Sequence, residues 1–401
     1  MSEEFPIEAL EESRLDTEQI RRAIILFALL AIFGLTAGIY AKLIGHRSAF
    51  NLSREIPWGI MVATFGFFTV TATGVGLLAA AGHLVRRTGL APLGNRAIYL
   101  TVILLLAAFF AITLQVQHPW RLLVYNMTSP NLTSNIWWMS TLYGIMVGSM
   151  SLEFVSMVSV AGGGQGSVLK MSILGALAGL AANNNLAAMV TAATDPPVWQ
   201  PGQLQLVLLV SALLSGSAAL VAATVVAAAI RGSSLDRDST AALSRLTRTF
   251  LCLVVLVLVL NGWRLYGLAT ADSDELRQGA QLFISGPLAT NFWIFETALG
   301  LVAPLGLLLA SRLTRTRLIG LAAALALVGA FFQRYDILIA GQIIPAFRGW
   351  DGVPPHLEYA PSSAELLVVL GSLGLLGTGF LLGERFFGRV FQGLPPLKPP
   401  R

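Results

Sequence analysis

The chain has 401 residues, of which 55% are hydrophobic and only 12% charged, whereas soluble globular chains carry about 25% charged residues. A mean hydropathy of +0.72 excludes an ordinary soluble domain and points to an all-α integral membrane protein. The single cysteine, Cys252, excludes disulfides, a structural zinc site and an iron–sulfur cluster ligated by this chain alone. Four histidines, His46, His83, His118 and His356, leave little room for the axial pair of a b-type haem.

The polar, acidic start, MSEEFPIEALEESRLDTEQIRR, lacks the basic region and cleavage site of a secretory signal, so the first apolar run is expected to stay in the protein. A span needs roughly 20 apolar residues, and ten runs qualify: 23–44, 58–83, 97–117, 136–160, 168–191, 204–230, 248–269, 290–311, 318–340 and 362–383. None alternates apolar with polar as barrel strands do. Counting Lys and Arg between the runs and at their ends gives eighteen on the side of both termini against six on the other. Positive residues are retained in the cytoplasm, so the expected topology is N-in, C-in. The net charge of +5 lies in these short clusters and reads as a topology signal, with no nucleic-acid surface.

The expected division is a cytoplasmic tail (1–22), a flanking helix with an outer loop (23–57), a first four-helix bundle (58–191), a second (204–340), an outer loop with a second flanking helix (341–383) and a cytoplasmic tail (384–401). Cytoplasmic connections are short and basic. The outer ones hold tryptophans, prolines and most other polar residues, as expected of a working surface. Trp58, Trp137, Trp138, Trp199 and Trp293 sit at outer span ends, where they form an interfacial aromatic belt or line a site. Glycine and alanine runs such as TATGVGLLAAAG and LGALAGLAA favour close helix packing.

Ionisable residues within spans are costly and mark function or helix-locking pairs. Glu153 falls in the cytoplasmic half of the fourth span with no cation on its own helix, which suggests proton handling. His83, at the inner end of the second span, is its expected relay. Glu296 opens the eighth span, Glu365 the tenth, and Arg264 closes the seventh. Arg334 and Asp336 lie in the outer half of the ninth. These are candidates for proton transfer or, as pairs such as Arg334 with Asp336 or Glu296, for structural salt bridges. A membrane site that binds a flat ring and exchanges a proton needs an apolar slot, hydrogen-bonding groups and a titratable group. The outer ends of spans two to four offer Trp58, His118, Arg121, Trp137, Trp138 and Tyr143, with Asp195 and Trp199 positioned to close the same slot. His118 titrates near neutral pH, at about 6.5 when unperturbed, although an interfacial loop histidine is the plainer account.

The run QHPWRLLVYNMTSPNLTSNIWWMSTLYGIMVGSMSLEF is followed in order by PPVWQPGQLQLVLLVSALLSGSA, GPLATNFWIFETALGLVAPLG and QRYDILIAGQIIPAFRGW. This succession resembles the NrfD/PsrC-type membrane subunits of polysulfide reductase, and most closely the ten-span HybB/DsrP-like branch. The resemblance implies two four-helix bundles flanked by one helix each. It also implies menaquinone or ubiquinone as substrate near the outer face, and no haem, metal or iron–sulfur cluster in this chain. Electrons would pass to or from a ferredoxin-like [4Fe-4S] subunit, and through it a catalytic redox subunit, in a bacterial cytoplasmic membrane. A secondary transporter, for which only the Asn183–Asn185 triplet offers a midplane site, and a purely structural anchor are the alternative classes.

Overall fold

The computed structural model describes residues 17–159, 165–192, 199, 202–231, 235–345, 347 and 350–392. Among them the regular structure is helical throughout, and ten helices are long and apolar enough to cross a membrane. They are α1 (Thr17–Ile44), α3 (Ile60–Leu84), α4 (Ala91–Gln115), α6 (Asn135–Val158), α7 (Gln165–Ala192), α8 (Gln203–Arg231), α9 (Arg237–Ala269), an eighth span discussed below, α12 (Thr316–Ala340) and α13 (Ser363–Phe391). Short helices α2 (His46–Ala49), α5 (Pro119–Thr128) and α10 (Asp274–Ile284) decorate one face only. That wide-loop face contrasts with the short-loop face opposite.

The eighth span opens as a π-helix, Asn291–Val302, and continues as α11, Ala303–Ala310. π-Helical turns are rare and occur mostly at functional sites. Here Gly300 faces Gly329 of α12 so closely that a Cβ on either would meet the other's backbone. Bare backbone at this crossing compensates for the wider π-helix.

Helices α3, α4, α6 and α7 pack as one group of four, and α8, α9, the eighth span and α12 as another. Helix α3 joins them by packing on α8 and α12. At the centre of that seam Gly74 and Gly216 face each other, and a side chain on Gly74 would collide with the Ala212 carbonyl. Helix α3 is therefore buried along nearly its whole length. The first and last spans, α1 and α13, pack chiefly on one another, with Gly34 against Gly371, and α13 leans on α4.

Charge fastens α13 at the short-loop face. Arg96 of α4 donates to Glu384 Oε1 at 2.7 Å, and Arg231 of α8 reaches Oε2 at 2.5 Å, so one carboxylate ties both bundles to the last helix. Both arginines were counted among connecting-loop charges in the sequence; they lie instead on helices, and Arg96 is buried because Glu384 neutralises it. Helix α4 consequently begins at Ala91, six residues before the apolar run.

Candidate functional site

At the wide-loop end of the first bundle, α4 ends at Gln115, the chain extends through Val116, and Pro119 in the first turn starts α5. Ser134 caps α6 by accepting from the Trp137 N–H at 3.3 Å. Asn126 holds α5 on α6. Its side-chain N–H donates to Thr141 Oγ1 at 2.9 Å, its side-chain oxygen accepts from Ser140 Oγ at 2.8 Å, and its carbonyl accepts from the Trp137 indole N–H at 2.9 Å. A cavity of about 440 Å³ remains between the end of α4, α5 and α6, and His118, Arg121 and Trp137 line it together with Gln117, Tyr125 and Asn126. His118 is exposed and its ring sits 4.9 Å from that of Trp120. The lining mixes a flat aromatic wall with a titratable imidazole, a fixed cation and two amides.

The other residues expected in this slot lie elsewhere. Trp138 crosses Trp137 edge-on at 4.8 Å and donates to the Leu132 carbonyl outside the cavity. Tyr143 is wholly buried deeper in the bundle, against the edge of Phe65. Trp58 and Trp199 belong to the apolar cluster at the seam between the bundles. The Trp58 backbone is held at both ends by Gln342, at 3.0 and 2.9 Å, and the Trp199 indole donates to the Ile337 carbonyl at 3.2 Å. Asp195 lies outside the described residues.

In the half of the first bundle nearer the short-loop face, Glu153 is fully buried. Ser172 of α7 donates to its Oε1 at 2.7 Å, and His83 Nδ1 of α3 lies 3.2 Å from the same oxygen. The second carboxylate oxygen has no partner among the described residues, although buried polar atoms are nearly always bonded. The His83 side chain is 18% exposed, so the pair links a buried carboxylate to the rim of the bundle. Ser172 is the member sequence reading missed; one serine among many small residues in α7 gives no signal.

The second bundle holds a denser network. The Arg264 guanidinium lies 5.3, 5.4 and 5.7 Å from the rings of Trp199, Phe283 and Phe292, a cage that favours a cation through the ring quadrupoles. Glu296 Oε1 is 3.7 Å away, and the same oxygen accepts from Asn261 Nδ2 at 2.7 Å and Gln333 Nε2 at 3.1 Å. Gln333 Oε1 in turn accepts from Ser211 and Arg334, and Arg334 also reaches Ser215 at 3.3 Å. Asp336 accepts from Asn291 at 2.9 Å. The expected pairing of Arg334 with Asp336 or Glu296 is therefore replaced: among the described residues the ion pair at Glu296 is with Arg264. Positions two apart on a helix do not share a face, which separates Arg334 from Asp336. Asn261, Gln333, Ser211 and Ser215 are further members not singled out in the sequence, although Gln333 adjoins Arg334 in FFQRYD. A void of about 10 Å³ beside Glu296, Ser211 and Gln333 has the size of a single water site.

Glu365 fills a different role from its neighbours in charge. It is the third residue of a capping box with Ser362, taking the Ser362 N–H at 2.9 Å and the Asn51 N–H at 3.1 Å on Oε2, and the Tyr359 hydroxyl at 2.6 Å on Oε1. Burial and the bond to Glu365 hold the Tyr359 phenol well above its ordinary range. Glu365 thus stitches the loop before α3 to the start of α13. No group of three or more His, Cys, Asp or Glu side chains able to hold a metal occurs among the described residues.

A search of curated proteins finds no match to this chain. The family model described as polysulphide reductase, NrfD, matches residues 48–346, which span α3 to α12 and include the cavity at the wide-loop end, the Glu153 pair and the Arg264 network. With three-quarters of its length so matched, the chain belongs to the NrfD family, membrane subunits of redox complexes.

Proposed function

We propose that this chain is the quinone-reactive membrane subunit of a respiratory oxidoreductase, with the cavity of His118, Arg121 and Trp137 as the site of the quinone ring. The observation that carries the reading is the coincidence in one bundle of that cavity at one end and the Glu153–His83 pair near the other. Reduction of a quinone takes up two electrons and two protons, and oxidation of the quinol returns them. In the cavity, Trp137 offers a ring face, Arg121 a fixed positive charge for a reduced ring oxygen, and His118 an imidazole to donate to or accept from a ring oxygen.

The eighteen-to-six basic asymmetry supports a reading with the wide-loop face outside and both termini in the cytoplasm, in a bacterial inner membrane. A ferredoxin-like [4Fe-4S] subunit then docks over the cavity and connects it to a catalytic subunit, with menaquinone or ubiquinone as the membrane substrate. This chain contributes no cluster, haem or metal. Proton handling rests on Glu153 and His83. Tyr143 and the Thr69 and Thr73 hydroxyls lie between them and the cavity. The Arg264–Glu296 network is read as a locked charge seam, and Glu365 as a cap.

His118→Ala tests the site. General acid–base groups contribute about 10²-fold or more, so quinone turnover by the assembled complex should fall by about that factor while subunit content stays the same. Unchanged turnover in the assembled His118→Ala complex would move the site to another part of the chain.

A further inference from the structure

A second cavity, of about 590 Å³, opens at mid-depth where α3, α4, α8 and α12 meet the outer pair α1 and α13. Its walls carry five phenylalanines, Phe27, Phe67, Phe68, Phe331 and Phe380, and no titratable side chain. The size falls within the range of small-molecule sites, about 300 to 1,000 Å³. At its rim Val226, Val328 and Leu373 are each more than two-fifths exposed, so the cavity opens sideways toward lipid.

One polar atom is unexplained. Thr64, Thr69 and Thr73 on α3 each return the hydroxyl to the carbonyl four residues back, at 2.8, 2.8 and 3.0 Å. Thr71 does not. It is 1% exposed, it lines the cavity, and its hydroxyl has no hydrogen-bond partner among the described residues. A buried hydroxyl without a partner is costly, and Thr71 shares the cavity-facing side of α3 with Thr64, Phe67 and Phe68 at helical spacing.

The wall facing the bundles lies within the family match, but Phe27 and Phe380 come from α1 and α13, outside residues 48–346. The fit of α1 is specific: Gly377 has no side chain where a Cβ would come within 2.6 Å of the Phe27 ring. The two outer helices therefore complete an aromatic chamber that the matched region alone leaves open.

We infer that this chamber binds a membrane quinone at a second site, with a ring carbonyl accepting from the Thr71 hydroxyl and the ring packed among the phenylalanines. Depth selects this occupant. Thr71 is the twelfth residue of α3, about 17 Å along a helix rising 1.5 Å per residue, close to the middle of a hydrocarbon layer about 30 Å thick. Phospholipids keep their polar atoms at the interface, so their chains bring nothing to a hydroxyl at this depth, whereas a quinone carries its carbonyls on a flat, apolar ring. With no titratable group in the lining, the site holds the oxidised ring without exchanging protons. It is a binding site and not a second place of turnover. The inference rests on the quinone reading above for the identity of the occupant, and its test is separable from the test of the outer cavity.

The purified complex should be washed in detergent, extracted and assayed by mass spectrometry for quinone, phospholipid and polycyclic alcohols, comparing wild type with Thr71→Val, Ala223→Phe and His118→Ala. A hydrogen bond of ordinary strength corresponds to about fivefold in affinity. Wild type should therefore retain quinone in the chamber, Thr71→Val about fivefold less there and Ala223→Phe, which fills the chamber, only what the His118 cavity holds, while His118→Ala retains the chamber's quinone despite impaired turnover. Thr71→Val is nearly isosteric and carries the test alone if Ala223→Phe fails to assemble. Retention unaffected by Thr71→Val, retention lost only in His118→Ala, or phospholipid or polycyclic alcohol as the only retained lipid would each overturn the second site.

Discussion

The two four-helix bundles have the same architecture and place their polar groups in opposite ways. In the first, chemistry sits toward the ends: an open cavity between α4, α5 and α6, and a buried carboxylate with one histidine and one serine near the short-loop side. In the second, Arg264, Glu296, Gln333, Arg334, Ser211 and Ser215 touch in an unbroken chain with room beside it for about one water. Polar groups spread toward bundle ends leave space for a ligand and a proton route. The same groups brought together across a helix crossing hold the helices to one another, although Glu296 Oε2 and the Arg264 guanidinium nitrogens have no hydrogen-bond partner among the described residues.

The strongest way to break the contrast is to uncouple the bundles. Gly74→Leu forces a side chain into the Ala212 carbonyl at the α3–α8 crossing. Assembly should fail outright, read as loss of folded protein in membrane extracts; a folded Gly74→Leu protein would mean that the bundles are not held together by this seam.

Next in size is Arg264→Leu, which keeps the apolar filling of the aromatic cage but leaves Glu296 buried without its cation. Breaking one partner of a buried pair costs about 3–5 kcal/mol, to be measured by denaturant unfolding in detergent. Adding Glu296→Gln should recover most of that loss, because the site is then neutral and still accepts from Asn261. A loss below about 1 kcal/mol, the scale of a surface pair, would show that the second bundle is not locked by charge.

In the first bundle the same kind of change should have little structural effect. Glu153→Gln keeps the bond from Ser172 and should alter stability by less than about 1 kcal/mol. Proton uptake from the short-loop side in reconstituted vesicles should nevertheless be lost. Normal uptake in Glu153→Gln would remove the proton route from the first bundle and make the two bundles alike in function.

The ten spans were legible because a run of about 20 apolar residues has few other uses. Their ends were less so. Helix α9 begins at Arg237, eleven residues before its apolar run, because a charged sequence there still presents Ala242, Leu243 and Leu246 inward. Glu153 and His83 could be paired from their depths alone. Trp58 and Trp199 could not be separated from Trp137, since a tryptophan at a span end reveals its depth and not which seam it faces. The partner of Arg264 was obscured by a similar limit: Glu296 and Arg334 both lie in the half of their spans nearer the wide-loop face, and only the packing of the π-helix on α12 decides which cation the carboxylate meets.

The smallest effect compares one helix cap from each bundle. Ser134 caps α6 with a neutral hydroxyl, and Asp236 caps α9 by accepting the Ser239 N–H at 3.2 Å. Alanine at either cap costs about 1 kcal/mol. The pH dependence should differ. Partial burial pushes the Asp236 carboxyl up, but its bonds with Ser239 and the neighbouring backbone outweigh that and hold it below the ordinary aspartate value. A folded-state value below the unfolded one means that the contribution is fully present above the unfolded value, near pH 4, and is lost as pH falls through the folded one. Because Asp236 is largely exposed, solvent screening keeps this electrostatic part small. The difference in unfolding midpoint between wild type and Asp236→Ala should therefore shrink below about pH 4, while the difference for Ser134→Ala stays level. Parallel curves for the two variants would mean that the Asp236 cap acts through its shape, as the serine does, and that charge at this end of the second bundle contributes nothing to holding α9.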